Sequence, residues 1–137
     1  MVTIEVKGMK EIEKRLANIQ KQISGDSQMY KDIGKMAEES INTNFNAGGR
    51  PTWAKRKGKY SHPILDRTGK MRDDAALSTH TWTHQSTSHD LDIKTPEYGK
   101  YHQYGTRSLV IRKFAQFLQV EVEKMKDRIR KVFLEGK

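Results

Sequence analysis

Residues 9–45, MKEIEKRLANIQKQISGDSQMYKDIGKMAEESINTNF, decide the architecture. Met9, Ile12, Leu16, Ile19 and Ile23 recur at spacings of 3, 4, 3 and 4, so they form one apolar stripe on a helix. Ser24-Gly25-Asp26 reads as a stop and restart, with Gly25 a left-handed cap and Asp26 or Ser27 the N-cap of a second helix. That helix carries Met29, Ile33, Met36, Ala37, Ile41 and Phe45 and fades near Asn46, ahead of Ala47-Gly48-Gly49 and Pro51. The connection is short, so the two helices are neighbours, as an αα-hairpin or a bent pair.

Upstream, Val2, Ile4 and Val6 alternate with polar residues, the period of a half-buried strand, until Gly8 breaks it. Downstream, residues 47–72 read as an extended basic loop. It carries Arg50, Lys55, Arg56, Lys57, Lys59, Arg67, Lys70 and Arg72 against one acid, Asp66. A loop this long is commonly functional. Residues 75–94 read as β: Leu77, Thr79, Thr81 and Thr83 alternate with Ser78, His80, Trp82 and His84, and Gln85 to Ser88 turn into a short strand at Leu91 and Ile93. Thr95-Pro96-Glu97 opens a short helix over Tyr98 to Tyr104, which stops at Gly105. Ser108 to Phe114 reads as a further strand or an arm. Leu118, Val122, Met125, Ile129, Val132 and Phe133 form the stripe of a third amphipathic helix, ended by Gly136. The expected fold is α+β over one domain, 1–137: an antiparallel sheet packed by about three amphipathic helices, with the basic loop within it.

Composition narrows the function. The 137 residues carry 26 Lys+Arg against 17 Asp+Glu, a net charge of +9, and only 34% are hydrophobic. The core is therefore thin for a chain of this length. No window approaches the roughly 18 apolar residues of a membrane span. The start lacks the apolar stretch of a signal peptide, and no cysteine is present. An intracellular protein without membrane contact is the expectation.

Chemistry-bearing clusters are few. His80, His84 and His89 lie near Asp90 and Asp92, but on a strand His80 and His84 stand roughly 13 Å apart, too far for one ion. No metal or cofactor is expected. Asp73-Asp74 points two acids in different directions, and neither a nucleophile elbow nor a phosphate loop is present. The least strained enzyme would be a basic nuclease with His62 or His102 as general base, and nothing in the spacing favours it. Arg50, Trp53, Lys55, Arg56, Lys57, Lys59 and Tyr60 interleave cations with aromatics, a pattern that would hold phosphates and stack bases. Tyr98, Tyr101 and His102 share one helical face; the preferred reading is that the tyrosines pack on the sheet with His102 as a hydrogen-bonded partner, and the alternative is a ligand site.

The order of these motifs resembles the phage virion morphogenesis (tail completion) family, which includes the Mu-type G-like proteins. Phe45 to Trp53, F-N-A-G-G-R-P-T-W, matches its Gly-rich approach to a Trp. Leu65 to Met71, L-D-R-T-G-K-M, matches its L-x-x-T-G-x-L block. Tyr98 to Gly105, Y-G-K-Y-H-Q-Y-G, matches its Y-A-x-x-H-Q-x-G block. Ile111 to Leu118 stands where the family has an A-R-P-F-L-like segment, with Ala115 and Gln116 in place of the common Arg and Pro, leaving Phe117-Leu118.

The resemblance implies a non-enzymatic assembly protein of a tailed phage or prophage. It would act in tail completion or head–tail joining, as a subunit of a ring-shaped homo-oligomer. Partners would be other neck, connector or tail proteins, in the virion neck or tail and, during assembly, in the host cytoplasm. Non-specific DNA contact through the 50–60 loop is the alternative. Interface candidates are Arg50, Trp53, Lys55, Arg56, Lys57, Thr68, Gly69, Tyr98, Tyr101, His102, Gln103, Gly105, Phe117 and Leu118. Trp53 is the preferred anchor, since a large aromatic in a polar loop is either a hot spot or locally tucked in. Thr68-Gly69 is expected to set a tight turn.

Overall fold

The computed structural model describes all residues except 6, 25–26, 78–80, 86–87 and 137. Helix α1 spans Met9–Gln22 and α2 spans Gln28–Ala47. A short α3, Lys70–Arg72, runs into a π-helical turn, Asp73–Leu77. Strands β1, Thr81–His84, and β2, His89–Asp92, form an antiparallel hairpin with Trp82 opposite Leu91. The six-residue α4, Gly99–Tyr104, precedes α5, Gln119–Glu135. The class is α+β as expected, but the two-stranded sheet is a minor element and the helices carry the core.

α2 organises the molecule because its stripe serves two clusters. Its first turns place Met29, Tyr30 and Ile33 against Val132 of α5, with Ile19, Trp82 and Met125 packed around them. Its last turns place Ile41 and Phe45 against Trp53, Met71, Ala75, Ala76 and Phe114. Gly48 stops α2 at φ 71°, a left-handed conformation that a residue without Cβ adopts at little cost. An ion pair of 2.8 Å from Arg128 to Asp32 fastens α5 along α2.

Several expectations are corrected. Residues 2–5 form no strand and lie exposed, because among the described residues no strand pairs with them; Val6 lies outside the described residues. Residues 75–77 are helical rather than β, since Ala75 and Ala76 are buried under α2, where only small side chains let the backbones approach. Ser78, Thr79 and His80 of that expected strand, Gly25 and Asp26 of the cap, and Ser86 and Thr87 of the turn lie outside the described residues. Ser27 is the N-cap residue of α2, but its hydroxyl donates backwards to the Gln22 carbonyl and does not cap the helix. Residues 108–114 form neither strand nor helix.

The basic segment is also not a free arm. Residues 48–69 carry no helix or strand, yet they are pinned to the core. Trp53 is only 5% exposed, its ring set edge-on to Phe45 at 5.5 Å and its indole N–H donating to the Lys113 carbonyl at 2.9 Å. It is a core residue and not an exposed anchor, because an indole buries a large apolar area once its one donor is satisfied.

Arg50 likewise points inward. Its Nε donates to Asn44 Oδ1 at 2.7 Å, and its Nη2 reaches Ser40 Oγ at 3.0 Å and Glu121 Oε1 at 2.9 Å. Asn44, fully buried, donates through Nδ2 to the carbonyls of Phe114 and Gln116, each at 2.7 Å. Glu121 Oε1 also accepts the Leu118 N–H at 2.9 Å and so closes the first turn of α5. Burial alone would raise the Glu121 carboxyl; hydrogen bonds from Ser40, the Leu118 N–H and Arg50, together with the Arg50 charge, more than offset this and hold it below its ordinary value. The stabilisation is present above the ordinary glutamate range and is lost as pH falls through the lowered value.

Two substitutions test this core. Trp53→Ala should destabilise the fold by about 3–5 kcal/mol in urea unfolding; a variant as stable as the wild type would refute the buried placement. Asn44→Ala strands two buried carbonyls and the Arg50 Nε–H and should cost about 2–4 kcal/mol. A loss within roughly 0.5 kcal/mol, the range of ordinary surface changes, would mean that the network is not held together by this amide.

Candidate functional site

Three stretches distant in sequence meet around one cleft of about 660 Å³. Residues 56–71 supply one wall, α4 a second, and Leu109 with Arg112 a third. Leu65 turns the first wall at φ 62°, and Gly69 ends it at φ 77°, opening α3. The Asp73 N–H donates to the Gly69 carbonyl at 2.8 Å, the first helical bond of α3, and the left-handed Gly69 is where the chain enters that helix. Ile64, Leu65 and Met71 join this wall to the lower core cluster.

α4 is held against the third wall by its own side chains. The Gln103 Oε1 accepts the N–H groups of Phe114 and Ala115, each at 3.1 Å, and its Nε2 donates to the Ala115 carbonyl at 3.2 Å. One side chain thus replaces a missing strand partner. Gly105 ends α4 at φ 76°, and a Cβ there would stand 2.6 Å from Ile111 Cγ1. The Arg112 N–H donates to the His102 carbonyl at 2.8 Å and locks the two walls together.

The cleft is cationic. Arg56, Arg67, Lys70 and Arg112 line it against one carboxylate, Asp66, which pairs with Arg72 at 3.3 Å. Lys70 pairs with Asp74 at 3.2 Å. Arg56 lies over the Tyr60 ring at 4.4 Å and donates to the His62 carbonyl at 2.5 Å. Arg112 is 8% exposed; its Nε and Nη2 donate to the carbonyls of Ala54 and Lys55 at 2.8 and 3.2 Å. Among the described residues no carboxylate lies within ion-pair distance of Arg56, Arg67 or Arg112. His102 adds a buried Nδ1 with no hydrogen-bond partner. Burial, and then the Arg112 charge, push the His102 imidazole below its ordinary value.

The structure therefore gathers Arg56, Thr68, Gly69, Tyr98 and His102 at one site. It assigns Arg50, Trp53, Gln103 and Gly105 to holding the fold. Lys55, Lys57, Tyr101 and Leu118 are exposed outside the cleft, and Phe117 packs partly on the core. The expected base-stacking pattern loses Trp53, which is buried; Tyr60 stays exposed, with Arg56 over one face of its ring. Sequence reading missed Arg112. The one signal was a period of two, since Arg112 and Phe114 are buried while Ile111 and Lys113 are exposed; a cation at an inward position runs against the usual burial order.

The chain is 26% identical over 109 residues to the Mu-like prophage FluMu G protein 2 of Haemophilus influenzae, a match that covers 79% of this chain and 73% of that protein. This similarity relates the chain to phage proteins. No family model matches the sequence, and no solved structure matches it. No helix among the described residues is long and apolar enough to cross a membrane.

The buried imidazole gives a direct check on the cleft. In an NMR titration His102 should titrate below the ordinary value of 6.5. Arg112→Gln should raise it part of the way, because the burial remains. The neutral form is favoured in the folded state, so this stabilisation is full above the ordinary value and declines as pH falls below it. A wild-type value at or above 6.5 would contradict the burial of this ring.

Proposed function

We propose that this protein is a non-enzymatic assembly subunit of a tailed phage or prophage, acting in tail completion or head–tail joining as a subunit of a ring-shaped homo-oligomer. The observation that carries the reading is α1. It has a continuous apolar stripe and yet buries none of its residues. Ile12 is 52% and Leu16 60% exposed, and Val2 and Ile4 ahead of them are more exposed still. Phe133 and Leu134 of α5 extend the surface, since Arg15 of α1 donates to both of their carbonyls.

An apolar helix face left open in a 137-residue chain is a liability unless another surface covers it. A subunit completed by its neighbours resolves that cost, and the similarity to a prophage protein supports a virion setting. In this reading the partners are copies of the chain and other neck, connector or tail proteins, in the virion and, during assembly, in the host cytoplasm.

Sedimentation of the purified protein over a range of concentrations tests the reading. The wild type should form oligomers, and Ile12→Glu with Leu16→Glu should shift them towards monomer with an unchanged helical circular dichroism spectrum. A wild type that stays monomeric at every concentration, or a double variant that assembles normally, overturns α1 as the assembly face.

A further inference from the structure

A second surface differs in kind from the α1 face. The cleft between residues 56–71, α4 and Arg112 is lined by apolar side chains, Ile64, Leu65 and Met71, and by cations, from buried Arg112 to exposed Arg67. Its volume, about 660 Å³, is that of a site which takes a few side chains. Arg112 is the decisive residue. A guanidinium this buried is normally matched by a carboxylate, because the charge has lost its water. Here two backbone carbonyls are its hydrogen-bond acceptors, and among the described residues no carboxylate lies within ion-pair distance. His102 on the adjoining wall holds a buried ring nitrogen with no partner. Arg67 on the rim is exposed and makes no ion pair among the described residues. The site thus has hydrogen-bonding capacity and positive charge that the chain itself leaves unused.

We infer that this cleft docks an acidic peptide segment of a partner protein, with a carboxylate set between Arg112 and Arg67 and an adjacent apolar side chain on Ile64, Leu65 and Met71. Arg67 can grip a carboxylate in a two-pronged geometry, Arg112, whose Nε and Nη2 already serve carbonyls, adds charge through its remaining N–H groups, and the apolar lining accounts for the neighbouring side chain. A nucleic-acid strand fits less well. It would stack bases on Tyr60 and Tyr98, which are 58% and 45% exposed, but Arg56 takes one face of the Tyr60 ring at 4.4 Å, and a phosphate strand brings no aliphatic side chain to Ile64, Leu65 and Met71. Exposed Tyr101 carries Lys100 at 5.1 Å and lies outside the cleft. The inference names a partner class for an assembly protein, but its geometry is independent of the α1 face.

The test is an amide chemical-shift titration of the full chain with three probes. These are a library of capped octapeptides that alternate Asp or Glu with Leu or Phe, the same library with Asn and Gln, and a ten-nucleotide thymidine strand. The acidic library should perturb the amides of Leu65, Arg67, Gly69, His102 and Arg112, and the neutral library should bind roughly tenfold or more weakly. Arg67→Glu should cause a similar loss with an otherwise unchanged spectrum. Arg67 makes no intramolecular hydrogen bond or ion pair among the described residues, so this variant tests the site without disturbing the fold. Equal binding of the neutral library, shifts centred elsewhere, stronger binding of the thymidine strand at the cleft, or no shift up to roughly 1 mM peptide would each overturn the inference. Sedimentation reports separately on the assembly reading, so either one can fail while the other stands.

Discussion

The structure depends on the buried Asn44 amide. Two long stretches, 48–69 and 105–118, cross the molecule without a helix or strand to satisfy their backbone groups. Such segments stay at the surface unless side chains take over the role of a ladder. Asn44 does this from the last turn of α2, donating to the carbonyls of Phe114 and Gln116 while its oxygen accepts from Arg50. Arg50 then reaches Ser40 and Glu121, and Glu121 closes the first turn of α5. One polar chain therefore ties α2, the basic segment, the segment before α5, and α5 itself. With it in place, Trp53 and Phe114 are held in the core and the walls of the cleft are fixed.

Other side chains repeat the device. Gln103 pairs with three backbone groups of residues 114 and 115, and Arg112 spans the carbonyls of Ala54 and Lys55. Arg72 binds the side-chain oxygens of Asn42, Asn46 and Asp66. Much of the positive charge in the basic segment thus has internal acceptors. Net charge of +9 is a property of the surface only after these are set aside. Lys55, Lys57, Lys59 and Arg67 are the exposed remainder.

This division explains what was legible beforehand. α2, α4, α5 and the hairpin follow from period and glycines, which are local signals; the expected caps do not hold, since Ser27 makes no cap bond and α4 starts at Gly99, after Tyr98 and not at Pro96. Gly48, Gly105 and Gly136 all carry positive φ at helix ends where the sequence places stops. The strand expected at Val2 and Ile4 fails because alternation describes a strand's faces and cannot supply its partner. Ala75 and Ala76 fail as strand residues because their burial under α2 is a tertiary fact. At the site, Thr68, Gly69, Tyr98 and His102 stood out through their motif blocks, whereas Arg112 did not. Its significance lies in its burial and in its two carbonyl acceptors, which belong to residues more than fifty positions away.

α2 also sets the relation between the two surfaces. Its first half supports the cluster beneath α1, Trp82 and Val132, while its second half supports the cluster beneath Ile64, Leu65 and Met71. Ile33 and Phe45 are twelve residues apart, roughly 18 Å along the axis. The apolar α1 face and the cationic cleft are therefore backed by different ends of one rigid helix and by different clusters. Contacts at one end need not deform the other. A subunit built this way can join like copies through an apolar face while presenting a charged recess to a different protein, and hydrophobic area would govern the first contact and charge the second.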